Sequence, residues 1–94
     1  MDDEEPVAIP IEAAIDLHSF APRDIVAVVD DYLDAAAAAG FTEVRLIHGR
    51  GKGVQRAGIQ RRLRQHPLVD RFWDAPESHL GATIVRLHRR GADA

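Results

Sequence analysis

An aspartate and a histidine stand two apart in "IDLH", and a second histidine opens "HGRGKG" about thirty residues later. Residues two apart on a β-strand project to the same side, so Asp16 and His18 share a face wherever this stretch is extended. A carboxylate beside an imidazole orients the ring and favours its charged form, which suits general acid/base work near neutral pH. The same pair could instead hold a divalent metal such as magnesium, or serve only as structural hydrogen-bonding groups. The second stretch points to other chemistry. Gly49, Gly51 and Gly53 alternate there with Arg50 and Lys52 behind His48. Bare backbone interleaved with cations lets an anion approach the amide N–H groups, and a helix beginning just behind adds the positive end of its dipole. Phosphate fits such a loop, although glycines at a strand-to-helix turn also serve the turn alone. Two familiar phosphate motifs are excluded. A Walker A loop needs Gly-Lys-Ser/Thr where this chain has Gly-Lys-Gly, and the dinucleotide fingerprint needs a glycine where Val54 stands.

Alternating strands and helices are needed to bring these residues together. "EAAIDLH" reads as a first strand. Pro22 opens a helix in which Ile25, Val28, Val29, Tyr32, Leu33 and Ala36 recur at helical spacing until Gly40. "EVRLI" is a β-branched second strand running into the glycine loop, and "GVQRAGIQRRLRQH" is a second helix stopped by Pro67. "LVDRFWDA" and "ATIVRLHR" read as two more strands joined by "PESHLG". The order β-α-β-α-β-β, with right-handed crossovers, predicts an α/β two-layer sandwich: a mixed sheet with both helices on one face. The C-terminal ends of parallel strands lie along one edge, where ligands usually bind. That edge receives both His18 and His48. His66, His79 and His88 show no ligand spacing and are expected at the surface, whereas Phe72 and Trp73 are expected to pack.

The 94 residues make one small domain: an acidic leader over 1–12, the domain over 13–89, and a short tail over 90–94. No cysteine is present, which removes disulfides and thiolate zinc sites. The start "MDDEEP" is unlike a secretory signal, and no apolar run approaches the roughly 18 residues of a membrane span. A cytoplasmic protein without a membrane partner is therefore expected. The net charge of −3 hides a segregation, since residues 1–34 hold ten acids and one base, whereas residues 50–64 hold six bases and no acid. A phosphate backbone meets a local face rather than the net charge, so Arg50, Lys52, Arg56, Arg61, Arg62 and Arg64 form a candidate nucleic-acid face. A solvated helix face would show the same pattern.

"AIDLHSF", then "VRLIHGRGKG", "RLRQHPLVDRF" and "GATIVRL", together resemble the Smr (small MutS-related) domain over residues 13–88. The resemblance implies a fold like the C-terminal domain of translation initiation factor three, and nicking of DNA or cleavage of RNA. The first family motif falls on Ile15, Asp16, Leu17 and His18, and the second on His48, Gly49, Arg50 and Gly51. Ser19, Ala21 and Gln55 depart from the residues usual in the family. Ser19 tolerates positive φ less well than glycine, and Ala21 forgoes an N-cap hydrogen bond of about 1 kcal/mol. Joined to that resemblance, the residues suggest phosphodiester hydrolysis. Asp16 would orient His18, His18 would move protons, and His48 would contact the phosphate or leaving oxygen. The Gly49 to Gly53 amides with Arg50 would hold the phosphate, while the helix arginines track the strand. None of this reads bases, so structure-selective binding is expected. The rival readings are a non-catalytic module binding nucleic acid or the ribosome, and a small-molecule phosphate enzyme.

Overall fold

In "EVRLI" and "ATIVRL" apolar and β-branched residues dominate, which favours strands covered on both edges. They form β2 (Glu43–Ile47) and β4 (Ala82–Leu87), the inner strands of a four-stranded sheet ordered β1-β2-β4-β3. The computed structural model describes residues 12–49 and 53–88. Arg50, Gly51 and Lys52 lie outside the described residues, as do the leader through residue 11 and the chain from residue 89. β1 (Ala14–Asp16) runs parallel to β2 with Asp16 opposite Ile47, while β4 is antiparallel both to β2 and to β3 (Val69–Asp74).

Two helices supply the second layer. A 3₁₀ turn, Pro22–Asp24, leads into α1 (Ile25–Ala38), and α2 (Val54–Gln65) follows the glycine loop. The first turn is 3₁₀ rather than α because proline sets φ but Ala21 offers no side-chain cap. α1 ends in a Schellman motif, with Phe41 N–H donating to Ala36 O and Gly40 N–H to Ala37 O, and Phe41 packs against the core. That core holds Val29 and Leu33 of α1, Ile59 and Leu63 of α2, and Leu46 and Val85 of the sheet. Both helices therefore cover one sheet face, as the sequence predicts. The opposite face carries a smaller cluster of Ala75, Ala82 and Ile84 with Ile47 and Trp73. Two ion pairs flank it, Arg86 with Glu43 at 3.0 Å and Arg45 with Glu77, and the Arg71 cation stands 5.7 Å over the Trp73 ring.

The structure departs from the sequence pattern at two further places. β1 is only three residues long because the chain turns immediately behind it, with Phe20 N–H donating to Leu17 O at 3.1 Å. Leu17 N–H still donates to Ile47 O at 2.8 Å, so the pairing runs one residue further than the strand. His66, expected at the surface, is buried. Its Nδ1 accepts from Leu68 N–H at 3.1 Å, which seals the helix end before Pro67, and its Nε2 lies 3.7 Å from Asp30.

Candidate active site at the ends of the parallel strands

Because β1 and β2 are parallel neighbours, the residues that follow them emerge side by side. His18 and His48 line one groove of about 140 Å³ together with Leu17, Phe20, Pro22, Ile25, Gln55 and Ile59. The turn after β1 is shaped by Asp16. Its Oδ1 accepts from the His18 backbone N–H at 3.1 Å and from His18 Nδ1 at 2.6 Å. Both hydrogen bonds, led by the backbone one, hold the Asp16 carboxyl below its ordinary value of 3.8. A carboxylate can only accept, so Nδ1 carries the hydrogen and Nε2 has no partner among the described residues. The pair is open to solvent, with the His18 side chain 70% and the Asp16 side chain 55% exposed. Ser19, which the sequence marks as a possible strain, is relieved of it. Among the described residues only His79 and Leu80 have positive φ without being glycine.

His48 is held quite differently. Its side chain is buried, with Nδ1 3.1 Å from Gly49 O and Nε2 2.9 Å from Thr83 Oγ1. A carbonyl accepts only, so Nδ1–H donates to Gly49 and Nε2 accepts from the Thr83 hydroxyl. That hydroxyl in turn accepts from Gln60 Nε2 at 3.1 Å, and Gln60 also donates to Asp74 Oδ1 at 3.1 Å. Asp74 is closed by both Arg56 Nε and Nη2, each at 2.7 Å. Every donor in this chain has one acceptor to serve. The Arg56 guanidinium, with Gln60 helping, holds the Asp74 carboxyl below its usual range. Burial pushes His48 below its ordinary 6.5, partly offset by the Gly49 carbonyl. His48 is thus a neutral ring with a fixed tautomer near pH 7.

The start of the glycine loop is fastened to the same framework. His48 N–H and Gly49 N–H both donate to Gly81 O, at 3.0 and 2.9 Å. Gly49 and Gly53 sit at φ 81° and 82°, a region that costs a residue with a Cβ and costs glycine little. Gly53 caps α2 without a side-chain hydrogen bond, and its carbonyl accepts from Ala57 N–H at 2.9 Å. The amides of the first turn of α2 therefore have no side-chain acceptor at the cap, and the positive end of the helix dipole lies there.

The arginines of α2 separate into two kinds. Arg56 is tied to Asp74, and Arg62 binds Asp30 of α1 through Nε at 2.8 Å and Nη2 at 3.2 Å. These two join elements. Arg61 and Arg64 lie on the exposed side of the helix with no carboxylate partner among the described residues, and Arg64 stands 5.8 Å over Phe72. Of the four described bases in the run over residues 50–64, two are therefore neutralised by aspartates contributed from α1 and β3. Thr83, Gln60 and Asp74 complete the network behind His48, and the sequence alone does not single them out. Their signal is faint: one hydroxyl inside the apolar run "ATIVRL", and a glutamine beside Ile59 on the buried side of α2. No three His, Cys, Asp or Glu side chains gather as metal ligands among the described residues.

Fold and site together define a class: a mixed-sheet α/β domain whose parallel strand ends present an Asp-His pair beside a histidine-led glycine turn. Residues 15–88 match the family model described as Smr domain, and the chain belongs to that family. It is 40% identical over 79 residues to the endonuclease MutS2 of Caldicellulosiruptor saccharolyticus, and 40% over 80 residues to that of Listeria welshimeri. The matches cover 82% and 83% of this chain but 10% of each relative, so the chain corresponds to about a tenth of those proteins. The crystal structure of the Smr domain of Thermus thermophilus MutS2 superposes with a TM-score of 0.76 at 35% identity, covering 80% of this chain and 96% of that one. YdaL, a stand-alone small MutS-related protein from Escherichia coli, superposes at 0.71 with 25% identity, covering 85% of this chain and 67% of that one. No helix among the described residues is long and apolar enough to cross a membrane.

Proposed function

We propose that this domain binds DNA or RNA by its structure and nicks it by phosphodiester hydrolysis. The observation that carries this reading is the Asp16–His18 pair: an imidazole oriented by a carboxylate, with Nε2 unpaired among the described residues, on a groove that His48 also lines. In the proposed reaction Nε2 takes a proton from the attacking oxygen as it adds to phosphorus, and returns one to the leaving oxygen. The Gly49 amide is committed to Gly81 O, so the backbone amides of the first turn of α2, with Arg50 and Lys52 of the loop before it, would hold the phosphate and the charge that develops on it. Gly51 keeps that approach open. Arg61 and Arg64 reach the neighbouring backbone, whereas Arg56 and Arg62 act mainly through their aspartates. His48 acts through the turn it shapes rather than by touching the phosphate, since both its ring nitrogens are engaged.

The relatives named endonuclease support the reading, as does the match to the Smr domain of Thermus thermophilus MutS2. The test is incubation with supercoiled plasmid and with structured RNA, with magnesium and with chelator. Nicked product that disappears in His18→Ala is the expected result. Tight binding with no cleavage under any metal condition would instead make the domain a binding module.

A further inference from the structure

The groove beside the glycine turn is a poor place for the phosphate itself. Its floor is Leu17, Ile25 and Ile59, all buried in the main core, and Phe20 and Pro22 form a wall. An ionised group pressed onto that floor would lose its hydration with nothing to replace it. The floor suits a flat, uncharged group. Size narrows the choice further. The groove measures about 140 Å³, and a cavity of roughly 150 Å³ accommodates a benzene ring, so one six-membered ring fills it and the second ring of a fused pair would stand outside. Two side chains at its margin are open to a ligand. Phe20 is a large apolar residue left 40% exposed. Gln55 is half-buried in the first turn of α2, yet its carboxamide makes no hydrogen bond to the described residues. A carboxamide offers two donors and one acceptor, which matches the donor and acceptor edge of a nucleobase.

We infer that this groove takes one unpaired pyrimidine base, stacked on Phe20 with its edge on Gln55. The inference rests on the nucleic-acid reading above and deepens it by naming the substrate class: a strand with an unpaired pyrimidine next to the phosphate held at the glycine turn. Continuity favours a base over an aromatic side chain of a partner protein. His18 lies on the groove itself and the phosphate seat adjoins it, so a single nucleotide places its phosphate in one and its base in the other. A base inside a duplex is stacked and paired and cannot enter without being extruded.

Fluorescence anisotropy with uncleavable phosphorothioate single strands tests this, comparing oligothymidine, oligoadenosine and an abasic strand of equal length. Oligothymidine should bind about tenfold or more tightly than the abasic strand, the scale of one base–aromatic stack. Phe20→Ala should bring oligothymidine down to the abasic level and leave abasic binding unchanged, and Gln55→Leu should narrow the thymidine-over-adenosine preference. Should Phe20→Ala fail to fold, Phe20→Leu keeps the apolar bulk and still removes the ring. Equal binding of all three strands, in a protein that still nicks plasmid, overturns the inference and leaves the proposed function standing. No binding to any strand or duplex removes both. The Ile25 and Ile59 methyl NMR signals check the occupant directly. They should move with thymidine, and movement with N-acetylphenylalanine amide but not thymidine would make the groove a protein anchor and overturn the inference.

Discussion

His18 and His48 follow neighbouring parallel strands and line the same groove, but their surroundings give them opposite chemistry. His18 is bound by a residue two positions away, is largely exposed, and keeps one ring nitrogen unpartnered among the described residues. His48 is buried, and its ring joins Gly49 to Thr83, a residue 35 positions further along. An exposed ring with an unpartnered nitrogen can exchange protons with a ligand. A buried ring whose donor and acceptor are both committed cannot do so without breaking a hydrogen bond, and what it provides is shape. Two histidines at equivalent strand ends thus divide into one free to exchange protons with a ligand and one that fixes the turn, and the hydrogen-bond inventory of each ring decides which.

That division can be broken by substitution. The largest effect is expected at His18→Ala, which should lower nicking by roughly 10²-fold or more while strand binding, read by anisotropy, stays near the parent. Asp16→Asn should move in the same direction. Equal losses of binding and cleavage would mean that His18 holds the substrate instead of moving a proton.

Next comes Thr83→Val, nearly isosteric, which leaves His48 Nε2 and one Gln60 N–H buried without a partner. Urea denaturation should show a loss of about 1–3 kcal/mol, the cost of buried polar groups left unsatisfied. An unchanged midpoint would sink the idea that the network fixes His48.

The two kinds of arginine sharpen the same contrast between reacting surface and holding framework. Arg61→Ala should flatten the dependence of log affinity on log salt by about 0.9 for each duplex phosphate that the guanidinium neutralises. Arg62→Ala should leave that slope alone and lower the urea midpoint slightly, since its partner is Asp30 of α1. The reverse result would mean that the Arg62 ion pair opens when nucleic acid binds.

The smallest effect is one of pH. Burial holds the His48 imidazole below its ordinary 6.5, so on acidification the unfolded chain takes up this proton before the folded one. Its contribution is fully present above about 6.5 and is lost as pH falls toward the folded value. Asp16 acts with the same sign at lower pH, beginning near 3.8. Urea midpoints measured on both sides of pH 6.5 should fall on the acid side, and His48→Gln should remove the part of that slope nearest neutrality.

The elements themselves are legible in the sequence because their signals are local. β2 falls on "EVRLI", α2 lies within its predicted stretch, and the two-layer arrangement follows from element order under right-handed crossovers. The Asp16–His18 contact is legible for the same reason, being an i, i+2 pair at a strand end. What joins residues distant in sequence is not. Nothing in "ATIVRL" says that its threonine will face the histidine that follows β2, nor does the basic run say that Asp30 and Asp74 will meet two of its arginines. Strand order is likewise out of reach, since it is decided by which face and edge the last hairpin can bury.

β4 comes after every other described element in sequence, yet it is an inner strand, paired on both sides. During synthesis β1, α1, β2 and α2 leave the ribosome first, and until β4 arrives the parallel β1–β2 pair has no third strand to stabilise it. Thr83 comes with that strand, and so does Gly81, whose carbonyl holds the amides of both His48 and Gly49. A nascent chain that already displays Asp16 and His18 therefore still lacks the fastening of His48 and Gly49 beside them. Insertion of β4 between β2 and β3 completes the sheet and fastens the start of the turn in one event, so a half-made domain would carry its Asp16–His18 pair before the groove beside that pair had its second histidine fixed.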